Sequence, residues 1–514
     1  MERFLKRHEG RIVGTIAGFD RILFRGSFRS LEYTKGLEQY LSRQSILHKE
    51  FKEFAEKLTQ AIAERAEEIA HQANRPLIYL RSAGESKEDR ARRIAEQDGI
   101  EEGLICILKC VELCQSYQIC RDRETKRIRL EVSLRQCLHF YFYYLDRDFG
   151  LMHVRLQSWL PMAIQICING REYLARQLDK LGIGYEQRDN CFVRIDDFAR
   201  AQKLMDDLQQ MGWSKKLNAF AKRVNPWAGR GGKKIGLRPY YWTVRQMEYA
   251  TDVVFRNQAA LDEIYPSLYR HAMDNFESKD VLRFLERRTN IRFSGEVKGS
   301  LIHRTEGVRI KHLVEENSIK MYNKKGSVLR IETTTNNPRR FKVRRRVKRD
   351  GKEIKAWMQM RKGIVDLPRR VEIARGANER YLEALAVVGE PTPSHKLFDS
   401  VSQRKENNGR YYRALRPVSP EDSRIFRVIQ RGEYLFQGFR NRDLRQALES
   451  DSESDPAKRK KAANRITRLL KLLCAHGLIF KVVRTSYYRI TKRGRELMST
   501  AIKFRDSNVA LLAN

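Results

Sequence analysis

The chain has 514 residues, of which 41% are hydrophobic and 32% are charged, so it can bury several cores and is not a disordered polyelectrolyte. Lysine and arginine total 102 against 64 aspartate and glutamate residues, which gives a net charge of +38. That charge predicts a polyanionic partner, and nucleic acid is the expected one. No apolar run is long enough for a membrane span, which argues against a membrane partner.

The eight cysteines show no CxxC pair, and the N-terminus lacks the apolar region of a secretory signal. Cys106, Cys110 and Cys114 share one parity, so they are interpreted as small hydrophobes on one face of a strand rather than as metal ligands. A reducing compartment is therefore expected. The predicted location is the cytoplasm, including association with the nucleoid.

Residues 1–215 are predicted to form one mixed α/β domain. Residues 11–28 suggest two strands around Gly18, and apolar residues from Leu37 to Ile69 follow at helical spacing. Asn169 precedes an amphipathic helix over 172–181. Further strand-like runs lie at 76–80, 104–108, 128–134, 138–145 and 151–159.

Residues 216–300 are predicted to be a basic loop rich in glycine and aromatic residues, followed by a helical connector with apolar stripes at 247–255 and 281–284. In one interpretation, the loop cradles phosphates and stacks bases. In the other, it is a solvated connector whose aromatic residues pack into the core. The candidate phosphate contacts are Arg230, Lys233 and Lys234, and the candidate stacking residues are Trp227, Tyr240, Tyr241 and Trp242.

Residues 301–388 are predicted to form a basic antiparallel sheet with strands at 307–314, 318–322, 327–334, 341–347 and 354–358. Asp350-Gly351 is a strong hairpin signal. A period of two places one cationic face opposite the core face. Its nucleic-acid contacts are predicted to be Arg309, Lys311, Lys320 and Arg330, joined by the hairpin cations Arg340, Lys342, Arg344, Arg345, Arg346 and Lys348.

Residues 389–420 contain four of the twelve prolines and are predicted to be a linker to a C-terminal domain over 421–514. In that domain the pattern predicts helices over 424–434 and 442–448, and a third helix that starts at Pro456 and ends before Gly477. Two short strands and a final helix near Lys492 follow.

The stretch RITRLLKLLCAHGLIFKVVRTSYYRITKRGREL at 465–497 resembles the MarR-like winged-helix family, including the HGLI turn and the YRIT exit from the wing. The resemblance implies that the third helix enters the major groove of DNA and that the wing reaches the backbone or minor groove. The residues that it implies as contacts are Lys458, Lys461, Arg465, Arg468 and Arg484.

Three residue sets are candidates for catalysis on nucleic acid. Asp20, Glu112 and Asp146 lie in or at the ends of predicted strands, where they are candidate ligands of Mg²⁺ in a nuclease. His139 and His153 flank Asp146 as a candidate base or metal ligand. In each case the alternative is an ordinary structural residue.

The third candidate is Tyr322. The segment SIKMYNKKGSVLRIE at 318–332 resembles a short stretch of phage and plasmid replication initiators, which implies that this tyrosine attacks a phosphodiester. The paired His-hydrophobic-His motif of those proteins is absent from this sequence. The alternative is a strand tyrosine that packs in the core.

The predicted fold class is α+β multidomain, with an N-terminal α/β domain, a central basic sheet and a C-terminal winged helix. The leading hypothesis is a prokaryotic nucleic-acid-binding protein of a mobile element or ribonucleoprotein, acting on structured RNA, duplex DNA or both. One alternative is a nuclease, strand-transferase or replication initiator that uses Mg²⁺. The other is a transcription regulator, which predicts a homodimer on a palindromic operator.

Overall fold

The computed structural model describes residues 1–81, 85–121, 128–287, 296–349, 352–386, 388, 394–407, 409–431, 434, 438–448, 456–483 and 485–507. The chain is α+β, as the sequence predicts, and it contains a large mixed sheet. Across these residues, no helix is both long and apolar enough to cross a membrane.

The strands are β1 (Ile12–Ser27), β2 (Leu77–Tyr79), β3 (Gly103–Arg121), β4 (Ile128–Asp146), β5 (Gly150–Gln157), β6 (Ile164–Asn169), β7 (Tyr185–Arg188), β8 (Cys191–Ile195), β9 (Tyr241–Phe255), β10 (Val297–Arg304), β11 (Gly307–Val314), β12 (Asn317–Lys324), β13 (Val328–Thr335), β14 (Lys342–Arg349), β15 (Lys352–Gln359), β16 (Lys405–Asn407), β17 (Arg410–Tyr412), β18 (Ile479–Lys481) and β19 (Tyr488–Ile490).

The helices are α1 (Glu2–Arg7), α2 (Thr34–Arg43), α3 (Phe51–Gln72), α4 (Lys87–Gln97), α5 (Gly170–Leu181), α6 (Phe198–Gln209), α7 (Trp213–Val224), α8 (Arg230–Lys234), α9 (Gln258–Asp262), α10 (Tyr265–Asn275), α11 (Ser278–Phe284), α12 (Leu367–Leu385), α13 (Ser394–Asp399), α14 (Pro420–Ile429), α15 (Asn441–Leu448), α16 (Pro456–Ala475) and α17 (Lys492–Asp506).

The chain divides into two compact units, each built from separate stretches of sequence. The first unit comprises Met1–Val13, Phe255–Ile331 and Gly376–Asn514. The second comprises Gly14–Val254 and Glu332–Arg375. The boundaries predicted at 215, 300 and 388 therefore do not coincide with this division, because each unit takes segments that lie far apart in the sequence.

The second unit contains strands in the order β9-β1-β6-β5-β4-β3-β2. β2 is parallel to β3, whereas the pairs β1-β6, β6-β5, β5-β4 and β4-β3 are antiparallel. Alternate residues of β6 show that one face of the sheet packs on the core and the other does not. Ile164, Ile166 and Ile168 are buried in the main core together with residues of α3, α5, α6 and α7. Gln165 and Cys167 point to the opposite face, which is only half-buried there.

Two predictions for this unit are wrong. Residues 12–27 form one continuous strand rather than two strands around Gly18. A Cβ atom at Gly18 would lie 2.2 Å from the Met205 side chain, so this glycine allows α6 to pack closely on β1 and does not mark a turn. Residues 247–255 belong to β9 rather than to a helix, since Met247 and Tyr249 alternate on the core face.

The predicted helix that follows Asn169 is confirmed as α5. The Asn169 side chain accepts hydrogen bonds from the backbone N–H groups of Arg171 (2.8 Å) and Glu172 (3.3 Å), which caps the helix start. Gly182 takes a left-handed conformation at its C-terminus, with φ of 65°. Local capping chemistry therefore fixed both ends of this element.

In the first unit, β10, β11 and β12 form an antiparallel run. Phe284, His312 and Tyr381 are buried and pack with the half-buried Phe276, which follows α10. The Phe276 ring centroid lies 5.0 Å from that of Tyr381 and 5.1 Å from that of Phe284, so these rings join the end of α10 to α11 and α12. The division into two units passes through the domain predicted over 301–388, because β10 to β12 lie in the first unit, whereas β14 and β15 lie in the second and form a two-stranded sheet.

The C-terminal module has its own core, to which α14, α15, α16, the β18-β19 pair and α17 all contribute. Leu397, Val401 and Leu415 are buried in the same core. Much of the segment that was predicted to be a linker is thus packed, because its apolar side chains lie within the module that they were expected only to connect.

Candidate nucleic-acid interface

The candidate interface is the two-stranded ribbon formed by β14 and β15. Lys342, Arg344, Arg346 and Lys348 alternate along β14 and are all exposed, so they form one cationic face. Val343 and Val347 lie between them and are half-buried. Met358 and Ile354, which pair with these two valines, are exposed, so the opposite face of the ribbon is apolar and only partly covered.

Residues directly opposite in an antiparallel pair point to the same side. Arg344 pairs with Trp357, Arg346 with Lys355 and Lys348 with Glu353, so the cationic face also carries an aromatic ring, a further amine and one carboxylate. The Trp357 side chain is 58% exposed. The Arg369 guanidinium lies 5.9 Å from its ring centroid, so the exposed indole contacts a cation of the protein on one side.

Arg345 has a different role from its neighbours. It points away from the cationic face and forms an ion pair with Asp366, whose carboxylate is buried and also accepts the backbone N–H of Arg361 at 2.7 Å. Arg345 was predicted to contact nucleic acid. Because Asp366 neutralises its charge, Arg345 instead anchors the ribbon.

Residues 360–363, which follow β15 and form the foot of the ribbon, are joined to β9 and α12 by hydrogen bonds. The backbone N–H of Val244 in β9 donates to the carbonyl of Lys362 at 2.8 Å. The buried Arg370 donates to the carbonyls of Val244 (3.1 Å) and Arg361 (3.2 Å). Burial lowers the pKa of Arg370 to about 10, and the side chain remains a cation that serves backbone acceptors.

The basic glycine-rich segment is folded. Arg230, Lys233 and Lys234 lie in the short helix α8 and are exposed, whereas a Cβ atom at Gly232 would lie 1.9 Å from the Trp227 carbonyl oxygen. At Gly232, close packing against Trp227 therefore explains the glycine without a bound phosphate.

Three of the predicted stacking residues are held by the protein. The indole N–H groups of Trp227 and Trp242 donate to the Leu58 carbonyl (3.1 Å) and to Asn218 (2.9 Å), and the buried Tyr240 donates to the Met162 carbonyl (2.7 Å). Among the four candidates, only Tyr241 is exposed, and the Arg29 guanidinium lies 5.3 Å from its ring. The core interpretation is therefore correct for three of the four.

The cationic face predicted on β11 to β13 is largely covered. Arg309, Lys311 and Lys320 are half-buried, and Arg330 is completely buried at 0% exposure. A fully buried guanidinium does not reach a phosphate backbone, so the predicted contact by Arg330 is wrong. Arg340, in the turn before β14, is exposed.

In the C-terminal module, Lys461, Arg465 and Arg468 are exposed on α16, while Ile466 and Leu470 of the same helix are buried. The Asn441 amide donates to Thr467 (2.9 Å) and to the Ala463 carbonyl (3.0 Å), which joins α15 to the middle of α16. The predicted contacts Arg484 and the side chain of Lys458, like the Asp350-Gly351 turn, lie outside the described residues.

Two of the carboxylates proposed for catalysis, Asp20 and Asp146, accept hydrogen bonds from groups of the protein. Asp20 is buried and accepts from the Asn190 amide at 2.7 Å, beside the guanidinium of Arg171 at 3.9 Å. Asp146 accepts the backbone N–H groups of Asp148 (2.9 Å) and Phe149 (3.2 Å) and so shapes the turn between β4 and β5.

The Glu112 carboxylate accepts hydrogen bonds from three side chains. It accepts from Arg155 (2.7 Å), the Tyr141 hydroxyl (2.8 Å) and Lys87 (3.0 Å). Although burial alone raises the pKa of this carboxyl, the hydrogen bonds from Arg155, Tyr141 and Lys87 lower it to about 2. A carboxylate this acidic is a poor general base at neutral pH.

The remaining catalytic candidates are also packed. His139 is buried, with Nδ1 3.0 Å from the Cys137 carbonyl oxygen, and burial lowers its pKa to about 4. Tyr322 is buried, with the Arg304 guanidinium 5.5 Å from its ring. Throughout the described parts of the chain, no group of three or more His, Cys, Asp or Glu side chains is arranged to hold a metal ion.

No protein-family model matches the chain, and no curated protein or solved structure is significantly similar to it. Trp357 and Lys355 were not among the residues predicted from the sequence. A tryptophan in a basic hairpin, opposite an arginine of the other strand, could have indicated them.

Proposed function

We propose that this protein binds nucleic acid through the β14-β15 ribbon. The observation that carries the proposal is the exposed face on which Lys342, Arg344, Arg346 and Lys348 follow one another, with Trp357 opposite Arg344. Alternate residues of a strand repeat every ~6.7 Å, so the four cations span about 20 Å, enough to follow several phosphates of one strand.

Trp357 favours a target that offers unpaired bases. An indole that is exposed among cations can stack on a base while the neighbouring side chains neutralise the backbone, which is how single-stranded nucleic acid is commonly held. Single-stranded RNA or DNA, including the loops of a structured RNA, is therefore the proposed ligand of the ribbon.

The C-terminal module is proposed to act as a second, duplex-binding surface of the winged-helix type. The order α14, α15, α16, β18, β19, α17 is the one expected for that fold, and Lys461, Arg465 and Arg468 are exposed on its third helix. This assignment predicts base-edge contacts from α16 and backbone contacts from the ribbon.

The test is the affinity of the full chain for fluorescein-labelled single-stranded RNA and DNA, measured by anisotropy. We expect the double variant R344A/R346A to bind at least tenfold more weakly, since two phosphate contacts are lost. The matched control is K52A/K57A, which removes two cations that are 80% and 72% exposed on α3. Equal affinity of the two double variants would refute the proposal.

A further inference from the structure

A second cluster of arginines lies on the open face of the sheet in the second unit. Arg155 of β5 is directly opposite Gln165 of β6, and Gln165 is directly opposite Arg25 of β1. Neighbouring strands are ~4.8 Å apart, so two guanidinium-bearing residues flank one amide within ~10 Å. All three side chains are half-buried on this face.

Arg245 of β9 adds a third guanidinium. β9 lies beside β1, and the Thr243 hydroxyl donates to the Arg25 carbonyl at 3.1 Å, which places Arg245 two residues farther along the same strand. The pKa of Arg245 is lowered, first by burial and then by the positive charges of Arg25 and Arg155. Three guanidinium groups therefore share one region of the sheet.

The cluster is not fully neutralised by the protein. Arg155 is paired with Glu112 at 2.7 Å, and Arg25 with Glu32. Within the residues that the structure describes, Arg245 forms no ion pair or hydrogen bond. Guanidinium groups that lie near one another repel, and a bound anion reduces that repulsion.

The cluster is also continuous with the foot of the ribbon. Thr243 forms a β-bridge with Gly363, and the exposed Arg361 and Lys362 precede that glycine. A strand that lies along the ribbon would meet Arg245 where the ribbon joins the sheet.

We infer that the sheet face around Gln165, bounded by Arg25, Arg155 and Arg245, binds a phosphate group. The guanidinium groups supply charge and paired N–H donors, and the Gln165 amide supplies a neutral donor between them. The phosphate belongs either to the strand held by the ribbon, a source that rests on the proposed function, or to free phosphate.

Arg21 provides a matched comparison. It lies on the same strand and the same face as Arg25, about 13 Å away, and is exposed. Burial acts to lower the pKa of Arg21, but Cys167 and Glu88 raise it overall, so its surroundings are negative rather than positive. An R21Q variant thus removes the same charge outside the cluster.

The experiment titrates the full chain with inorganic phosphate by calorimetry and with a labelled single-stranded oligonucleotide by anisotropy. We expect R245Q, and separately Q165A, to weaken at least one probe about tenfold, while R21Q stays within about twofold of the unmodified chain. Loss for the oligonucleotide alone identifies a phosphodiester ligand, and loss for both probes or for phosphate alone identifies free phosphate as a ligand.

The inference is overturned if R245Q and Q165A bind both probes as R21Q does. The oligonucleotide affinity of R344A/R346A distinguishes failure of the phosphate site from failure of the ribbon as a binding surface. If that variant keeps full oligonucleotide affinity while R245Q loses affinity for either probe, the ribbon assignment fails and the phosphate site stands. Melting temperatures close to that of the unmodified chain are expected, because Arg245 is exposed.

Discussion

Trp357 and Arg344 face each other directly across the β14-β15 ribbon, and both side chains are exposed on its cationic face. Tryptophan is usually buried for most of its surface, so an indole that is 58% exposed among cations supports the proposed binding role. The pair offers a stacking surface and a phosphate contact at adjacent points, which is the combination that single-stranded nucleic acid requires.

The first prediction concerns Trp357. Replacing Trp357 with Ala should weaken binding of a single-stranded oligonucleotide by about 1–3 kcal/mol, the contribution of one base stacked on an aromatic ring. Trp357→Phe should retain most of the affinity. Fluorescence anisotropy measures both, and an Ala variant that binds as tightly as the Phe variant would contradict the stacking role.

The second prediction separates the two proposed surfaces. R465A/R468A on α16 should reduce discrimination between a selected duplex and random sequence by about 1–3 kcal/mol for each lost base contact. R344A/R346A should weaken all sequences alike. Competitive binding at two salt concentrations compares them, and specificity lost from the ribbon variant alone would reverse the assignment.

The third prediction concerns Gly232. A methyl group there meets the Trp227 carbonyl oxygen at 1.9 Å, so Gly232→Ala should lower the free energy of unfolding by about 2 kcal/mol or more. Gly229→Ala is the control, because the nearest atom to its Cβ is 3.8 Å away on a lysine side chain. If both variants were equally stable by denaturant unfolding, the packing explanation would be incorrect.

The fourth prediction concerns pH and Glu112. Its folded pKa of about 2 lies below the usual value of 4.5, so its network stabilises the fold fully above pH 4.5 and is lost as the pH falls toward 2. For this half-buried group the contribution is on the order of 2 kcal/mol. Denaturant unfolding of E112Q should show a flatter dependence on pH across this window, whereas an unchanged slope would contradict the assigned network.

The sequence predicted elements wherever local chemistry determines them. Asn169 caps α5, Pro456 begins α16, and the strands 307–314 and 342–349 follow a period of two, so the α+β class and the ribbon were readable. These features depend on residues that are close together in the chain.

The failures depend on long-range packing. Gly18 suggests a turn in the sequence, but in the structure it lies in a strand and packs against Met205. Arg330 occupies a position of the predicted cationic face, but its strand is buried on both sides. The pairing of Arg345 with Asp366 and the row of Arg155, Gln165 and Arg25 join residues that are 10 to 140 positions apart. Periodicity and spacing carry no information about such contacts.

The most direct test of nucleic-acid binding by the ribbon is the salt dependence of affinity for one single-stranded oligonucleotide between about 50 and 200 mM salt. The account predicts a steep linear fall of log affinity with log salt for the full chain. It also predicts a slope smaller by about one for each phosphate contact removed in R344A/R346A, with K52A/K57A unchanged. A flat plot for the full chain, or the same slope for both double variants, would contradict it.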